Sequence, residues 1–219
     1  PDWTGLARLL DKRGLADAPV HCCLAPADFH LLQTERPRVP EAEMRQALKW
    51  RVKDLLSIPV EDVVVDYLEV PGQKRPDSEF ILVVAADRQR IASLAGGFQR
   101  SGLDLHSIGI LPLALRNLMA RLAGAGAGLG LLHLGTDSAH INLGRGETLY
   151  LSRSIDTSAE ALEKAVETAT EGMTPNVFLD ISLEVQRSLD YYDAYFSDPP
   201  IPRLALTGAS AQALAALRD

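Results

Sequence analysis

At 219 residues the chain is long enough for one large domain or two small ones, and its 47% hydrophobic content supports a substantial buried core. A formal net charge of −7 argues against general binding to nucleic acid or to anionic lipid. The longest apolar stretch, LAGAGAGLGLLHLG at 122–135, is short, broken by glycine and carries His133, so it is a poor membrane span; no signal-peptide pattern opens the chain.

In chain order, 19–34 (PVHCCLAPADFHLLQT) reads as two short strands around a turn at 25–28. Its adjacent cysteines, Cys22 and Cys23, read as reduced strand residues of a cytosolic protein. The proline-rich RPRVP is a stiff break. In 41–56, Met44, Leu48, Val52 and Leu55 recur at helical spacing and predict an amphipathic helix, ended by Pro59. Trp50 lies off that stripe, so it either packs on a neighbouring subdomain or meets a partner. Residues 61–70 and 79–87 predict strands, the second with burial on both faces, separated by a charged turn at 71–78. Ile91, Leu94, Ala95 and Phe98 mark another helix, closed by Gly102. Segment 41 to about 108 thus reads as helix, strand, strand, helix, strand.

A third helix follows over 109–123, with Pro112 suited to its first turn. GAGAGLG at 124–130 lacks the G-x-G-x-x-G pattern, because residue 129 is leucine, and it follows a helix; it reads as a flexible connector. LLHLGTDSAHINLGRGETLYL at 131–151 reads as three strands joined by a small-polar turn and a glycine turn. Thr157 and Glu160 fit a capping box. After a break near 171–176, residues 177–196 predict a long helix with Ile181, Val185 and Leu189 on one face. The C-terminal IPRLALTGAS is a strand entering a glycine turn, with a helix beginning behind it.

Chemistry-bearing motifs are sparse. The five histidines, His21, His30, His106, His133 and His140, form no H-E-x-x-H, no cysteine pair has zinc spacing, and G-x-S-x-G and Walker motifs are absent. Cys22 and Cys23 lack an evident base. The turn at 135–138 is the one candidate site. Gly135 permits close approach, Thr136 and Ser138 supply hydroxyls, and Asp137 is a candidate for hydrated magnesium. The same four residues equally make an ordinary hairpin turn.

The order of these pieces is informative. EMRQALKWRVKDLLSIPVEDVVVDYLEV, ILVVAADRQRI, RSGLDLHSIGILPLAL, the 131–155 hairpin, LEVQRSLDYYDAYF and PRLALTGAS together resemble the PilM/MshI family of pilus-biogenesis proteins, and LEVQRSLDYYDAYF with PRLALTGAS is most similar to MshI-type members. The resemblance runs from about residue 19 to the C-terminus. It implies an α/β actin-like ATPase (ribonuclease H-like) fold, similar to FtsA, with two lobes and a small inserted α/β subdomain. The implied division is 1–40 with 108–123 as first lobe, 41–107 as insert and 130–219 as second lobe, C-terminally incomplete.

The family resemblance further implies a cytoplasmic scaffold of the type IV (MSHA-like) pilus or a type II secretion-like assembly. Such a scaffold holds the cytoplasmic tail of a PilN-like inner-membrane protein, with a pilus assembly ATPase as a further candidate partner. Trp50 is the candidate partner-binding residue. Gly135, Thr136, Asp137, Ser138 and Gly208 mark the implied nucleotide cleft, whose ligand would be ATP with magnesium.

Three departures weaken that cleft. No Asp-x-Gly hairpin occurs in the first 19 residues. His133 stands where an acidic residue normally precedes the glycine by two positions. Gly208-Ala209-Ser210 replaces a run of glycines. A neutral imidazole is a poor magnesium ligand. The expectation is therefore a protein without ATP hydrolysis, with no resident cofactor or metal; an ATP-binding version that switches partner affinity is the alternative. A sugar kinase on this fold needs a catalytic carboxylate and a full phosphate cradle, and neither is evident.

Overall fold

The computed structural model describes residues 2–75, 77, 79–124, 126–169 and 175–218. By contacts the chain divides into two compact units, Pro1–Glu69 with Asp77–Leu111, and Val70–Pro76 with Pro112–Asp219.

The first unit opens with helix α1 (Trp3–Lys12), whose N-terminus is capped by the Asp2 carboxylate accepting from Gly5 N at 2.9 Å. Strand β1 (Val20–Leu24) lies parallel to β5 (Leu105–Ile110) in a two-stranded sheet. Helix α3 (Arg88–Arg100) carries Phe98, on which Trp3 packs with ring centroids 4.6 Å apart. Gly97 makes room for that indole: a Cβ there would lie 2.3 Å from Trp3 Cε2. Gly102, at φ +69°, follows as the helix stop that the sequence predicts.

A second sheet holds β2 (Phe29–Glu35), β3 (Val63–Glu69) and β4 (Phe80–Asp87) in the antiparallel order β2-β4-β3. Strand β2 thus pairs along its length with β4, and β5 pairs with β1. Helix α2 (Glu41–Val52) seats Met44, Leu48 and Val52, all fully buried, against Ile81 and Val83 of β4. Each such side chain contributes about 1.5–3 kcal/mol of burial. Leu55 departs from the expected stripe: it is 59% exposed. Residues 53–55 tighten into a 3₁₀ turn, and the change from 3.6 to 3.0 residues per turn rotates Leu55 outward. Strand β4 is apolar on both faces and buried along nearly its whole length, as its sequence predicts.

In the second unit, helix α4 (Leu111–Ala123) precedes an antiparallel meander of β6 (Gly128–Leu134), β7 (Ala139–Arg145) and β8 (Thr148–Ile155). Strand β9 (Leu204–Thr207) adds to β6 in parallel, giving the order β8-β7-β6-β9. Helices α5 (Ala159–Thr168), α6 (Asn176–Tyr195) and α7 (Ala211–Arg218) complete the unit. The connector read at 124–130 is shorter than expected, since Gly128–Gly130 already belong to β6. Leu204 packs close over Gly130: a Cβ there would lie 2.8 Å from Leu204 Cδ1, so that side chain would have to shift.

The expected cap at Thr157 moves by one residue. Ser158 caps α5 by accepting from Ala161 N at 3.1 Å, while Thr157 N is held by Ile155 O. Helix α6 packs on β7 and β8, with Ile181 and Tyr192 buried. Tyr192 joins Tyr150 and Phe196 in an aromatic cluster with centroids 4.8–5.4 Å apart. Residues 70–76 belong to this unit partly because Gln73 bridges Phe196 and Lys74 N donates to Tyr195 O at 2.9 Å. Of the break expected near 171–176, residues 171–174 lie outside the described residues.

Candidate functional site

The hairpin turn sits at the C-terminal end of β6. Leu134 pairs with Ala139 and His133 with His140, which leaves Gly135-Thr136-Asp137-Ser138 as the loop. Gly135 N donates to Ser138 O at 3.0 Å, closing the turn on itself. A Cβ on Gly135 would lie 2.7 Å from that same oxygen, so the turn alone demands glycine. Gly135 O accepts from Ala159 N at 2.9 Å, tying the turn to the start of α5. Thr136 and Asp137 are exposed at the tip, and Thr136 Oγ1 donates to Asp137 Oδ2 at 3.3 Å. Ser138 Oγ lies 3.2 Å from His140 Nε2, so its hydroxyl is engaged within the hairpin.

His133 and His140 face each other across β6 and β7. Burial pushes both imidazoles below their ordinary range, and for His140 the neighbouring His133 adds to the effect. The pair is therefore neutral near pH 7. His133 is a residue of β6, and its Nδ1 is buried without a hydrogen-bond partner. Asn142, fully buried on β7, donates from Nδ2 to Pro112 O at 2.8 Å and so ties α4 to the sheet.

Gly208 is brought to the same end of β6. It has φ +98°, and a Cβ on it would lie 2.1 Å from Leu134 O. Its glycine is thus required by backbone packing within the unit. Behind it, Ser210 Oγ accepts from Ala213 N at 3.3 Å, and Ser210 N donates to Glu163 Oε1 at 2.9 Å. The structure therefore gathers Gly135, Thr136, Asp137, Ser138 and Gly208 at one end of the β6–β9 pair, the end of parallel strands where α/β folds commonly bind ligands.

The donor set does not fit a magnesium–phosphate group. Gly135 N and Ser210 N are spent on internal acceptors, and the strand position beside the turn carries an imidazole. Asp137, the turn's carboxylate, points from an exposed tip. Glu163, whose carboxylate reaches the glycine turn, was not legible from sequence; its partner lies 47 residues away and no local pattern announces it.

Trp50, in the first unit, is 54% exposed with the Lys53 ammonium 5.8 Å from its ring centroid. In the same unit, His21 Nδ1 lies 2.7 Å from Ser107 Oγ, and the rings of His21 and His106 are 5.0 Å apart. Cys22 and Cys23 are free thiols, both pushed up by burial, which disfavours the reactive thiolate. Among the described residues no three His, Cys, Asp or Glu side chains gather as a metal cluster, and no helix is long and apolar enough to cross a membrane.

No family model and no curated protein matches the chain. Solved structures do. A PilM–PilN type IV pilus biogenesis complex matches with TM-score 0.73 and 21% identity, over 99% of this chain and 71% of that one. The cytoplasmic domain of EpsL, an inner-membrane component of the type II secretion system of Vibrio cholerae, matches with TM-score 0.48 and 19% identity, over 99% and 79% of the two chains. A Bacteroides thetaiotaomicron protein with actin-like ATPase fold and unknown function matches with TM-score 0.42 and 10% identity, over 99% and 81%. At these identities the likeness is one of fold, and the first match carries it. The chain has the α/β actin-like ATPase fold.

Proposed function

We propose that this protein is a cytoplasmic scaffold in an MSHA-like type IV pilus or related secretion platform, of the MshI kind. It would hold the cytoplasmic tail of a PilN-like inner-membrane protein and do so without hydrolysing ATP. The observation that carries the reading is the fold match to the PilM–PilN complex over 99% of the chain. The exposed Trp50 is the side chain best suited to anchor a partner, since aromatic anchors dominate many interfaces. Independence from nucleotide is supported by the turns at 135–138 and 208–210, whose amides at Gly135 and Ser210 are bonded internally.

The test is calorimetry of the protein against the tail peptide of a PilN-like protein from the same organism, with and without ATP and magnesium. Equal binding in both conditions supports the scaffold. Binding only with ATP favours a nucleotide-switched platform. Absence of binding in either condition overturns the partner assignment.

A further inference from the structure

Glu163 sits on α5, next to the fully buried Leu162 that fixes how the helix faces the unit. Its carboxylate crosses to the residue just before α7 and accepts from Ser210 N at 2.9 Å. Two further donors, in the first turn of α7, are also taken from within: Ala213 N by Ser210 Oγ at 3.3 Å, and Leu214 N by Ser210 O at 3.0 Å. A helix N-terminus carries unsatisfied N–H groups and a partial positive charge, and it is stabilised by negative charge. In this chain the negative charge comes from the protein itself.

We propose that Glu163 is the resident anion of this turn, a latch that joins α5 to α7 and closes the glycine turn to any external anion. Two contacts then make α5 the brace of this end of the unit: Ala159 N on the carbonyl of Gly135, and the Glu163 carboxylate on the amide of Ser210. An incoming phosphate would have to displace a tethered carboxylate and approach it against like charge. The inference deepens the nucleotide-independent part of the proposed function and rests on it only there.

The experiment compares wild type with Glu163→Ala, Glu163→Gln and Glu163→Asp by thermal melting, each in sodium acetate and in sodium chloride of equal ionic strength. Glu163→Ala should melt several degrees below wild type, with acetate restoring part of the loss and chloride none. Glu163→Gln keeps an acceptor for Ser210 N but loses the charge, so it should melt between wild type and Glu163→Ala. If Glu163→Ala does not fold, Glu163→Asp serves: a carboxylate one methylene short should melt below Glu163→Gln.

Inorganic phosphate is titrated into the same proteins. A phosphate-dependent rise in melting temperature confined to Glu163→Ala supports the latch. The same rise in wild type, or a Glu163→Ala protein as stable as wild type, overturns it. Tail-peptide binding measured alongside separates the two ideas, since wild type can bind the peptide whichever way the latch result falls.

Discussion

Gly208→Ala should destabilise the ligand-free protein. Two costs add at this position. A side chain at φ +98° leaves the conformations open to L-residues, which costs about 1–2 kcal/mol. The new methyl would also stand 2.1 Å from Leu134 O and 2.8 Å from its carbonyl carbon, so the end of β6 must move. Forced overpacking of that kind costs about 1–3 kcal/mol. The sum is about 3 kcal/mol, and at about 2–4 °C per kcal/mol for a chain of this size the melting temperature falls by about 6–12 °C.

Gly146→Ala is the control. It also has positive φ, at +56°, but no atom lies within 4 Å of the added Cβ, so it should cost only about 1 kcal/mol. Differential scanning calorimetry of both variants, free of nucleotide, measures the contrast. If glycine were kept at 208 to admit a ligand, Gly208→Ala would leave the free protein's stability close to that of Gly146→Ala. A melting temperature for Gly208→Ala within about 2 °C of wild type would refute the packing argument.

Three further outcomes follow from the same contacts. Asn142→Ala removes the bond to Pro112 O inside a fully buried site and should cost about 1–3 kcal/mol in urea unfolding, whereas an exposed Asn117→Ala should change little. The His133–His140 pair should make stability fall as the solution is acidified. Burial lowers both folded pKa values from 6.5, so below that pH the unfolded chain binds more protons than the folded one. The contribution is complete above the unfolded value and is lost as pH falls through the folded values, with a slope of up to about 1.4 kcal/mol per pH unit for each proton. Urea midpoints at pH 7.5, 6.5 and 5.5 (about one unit either side of a free imidazole's pKa) should show the fall in wild type and a shallower one in His140→Gln. Trp50→Ala should alter stability by less than about 1 kcal/mol, because the indole is mostly in solvent. It should remove the red-shifted part of the tryptophan emission, leaving Trp3 packed on Phe98, and should abolish binding of the PilN-like tail.

Periodicity carried most of the fold. The Met44, Leu48, Val52 stripe needed only helical spacing, and the unbroken apolar run of β4 announced a strand covered on both faces. The stripe failed at Leu55 because the helix tightened there, a change with no composition cue beyond the nearby Pro59. The cap at Ser158 was hidden by a neighbouring Thr157-x-x-Glu160 pattern; both residues qualify, and the bond from Thr157 N to Ile155 O decides between them. Pairing between distant strands was not legible, since nothing local in 29–35 tells it to bond to 80–86. The candidate site was legible as a turn, through Gly135 to Ser138. The reach of Glu163 to Ser210 and the hold of Asn142 on Pro112 depend on how α5, α7 and α4 pack, which no spacing encodes.

The glycines at this end of β6 show why sequence resemblance and ligand chemistry separate. A glycine beside a nucleotide and a glycine beside another backbone answer to the same steric requirement, so both leave the same letter in the sequence. At 135 the obstructing atom is Ser138 O, and at 208 it is Leu134 O, both from the protein itself. Carboxylates are the better discriminator, because magnesium requires oxygen donors whereas a turn does not. On the strand that position holds His133, opposite a second imidazole and kept neutral by burial. The carboxylate that does reach the adjoining turn, from Glu163, accepts a backbone hydrogen bond there. Charge at this site is therefore directed inward, toward holding α5 and α7 together.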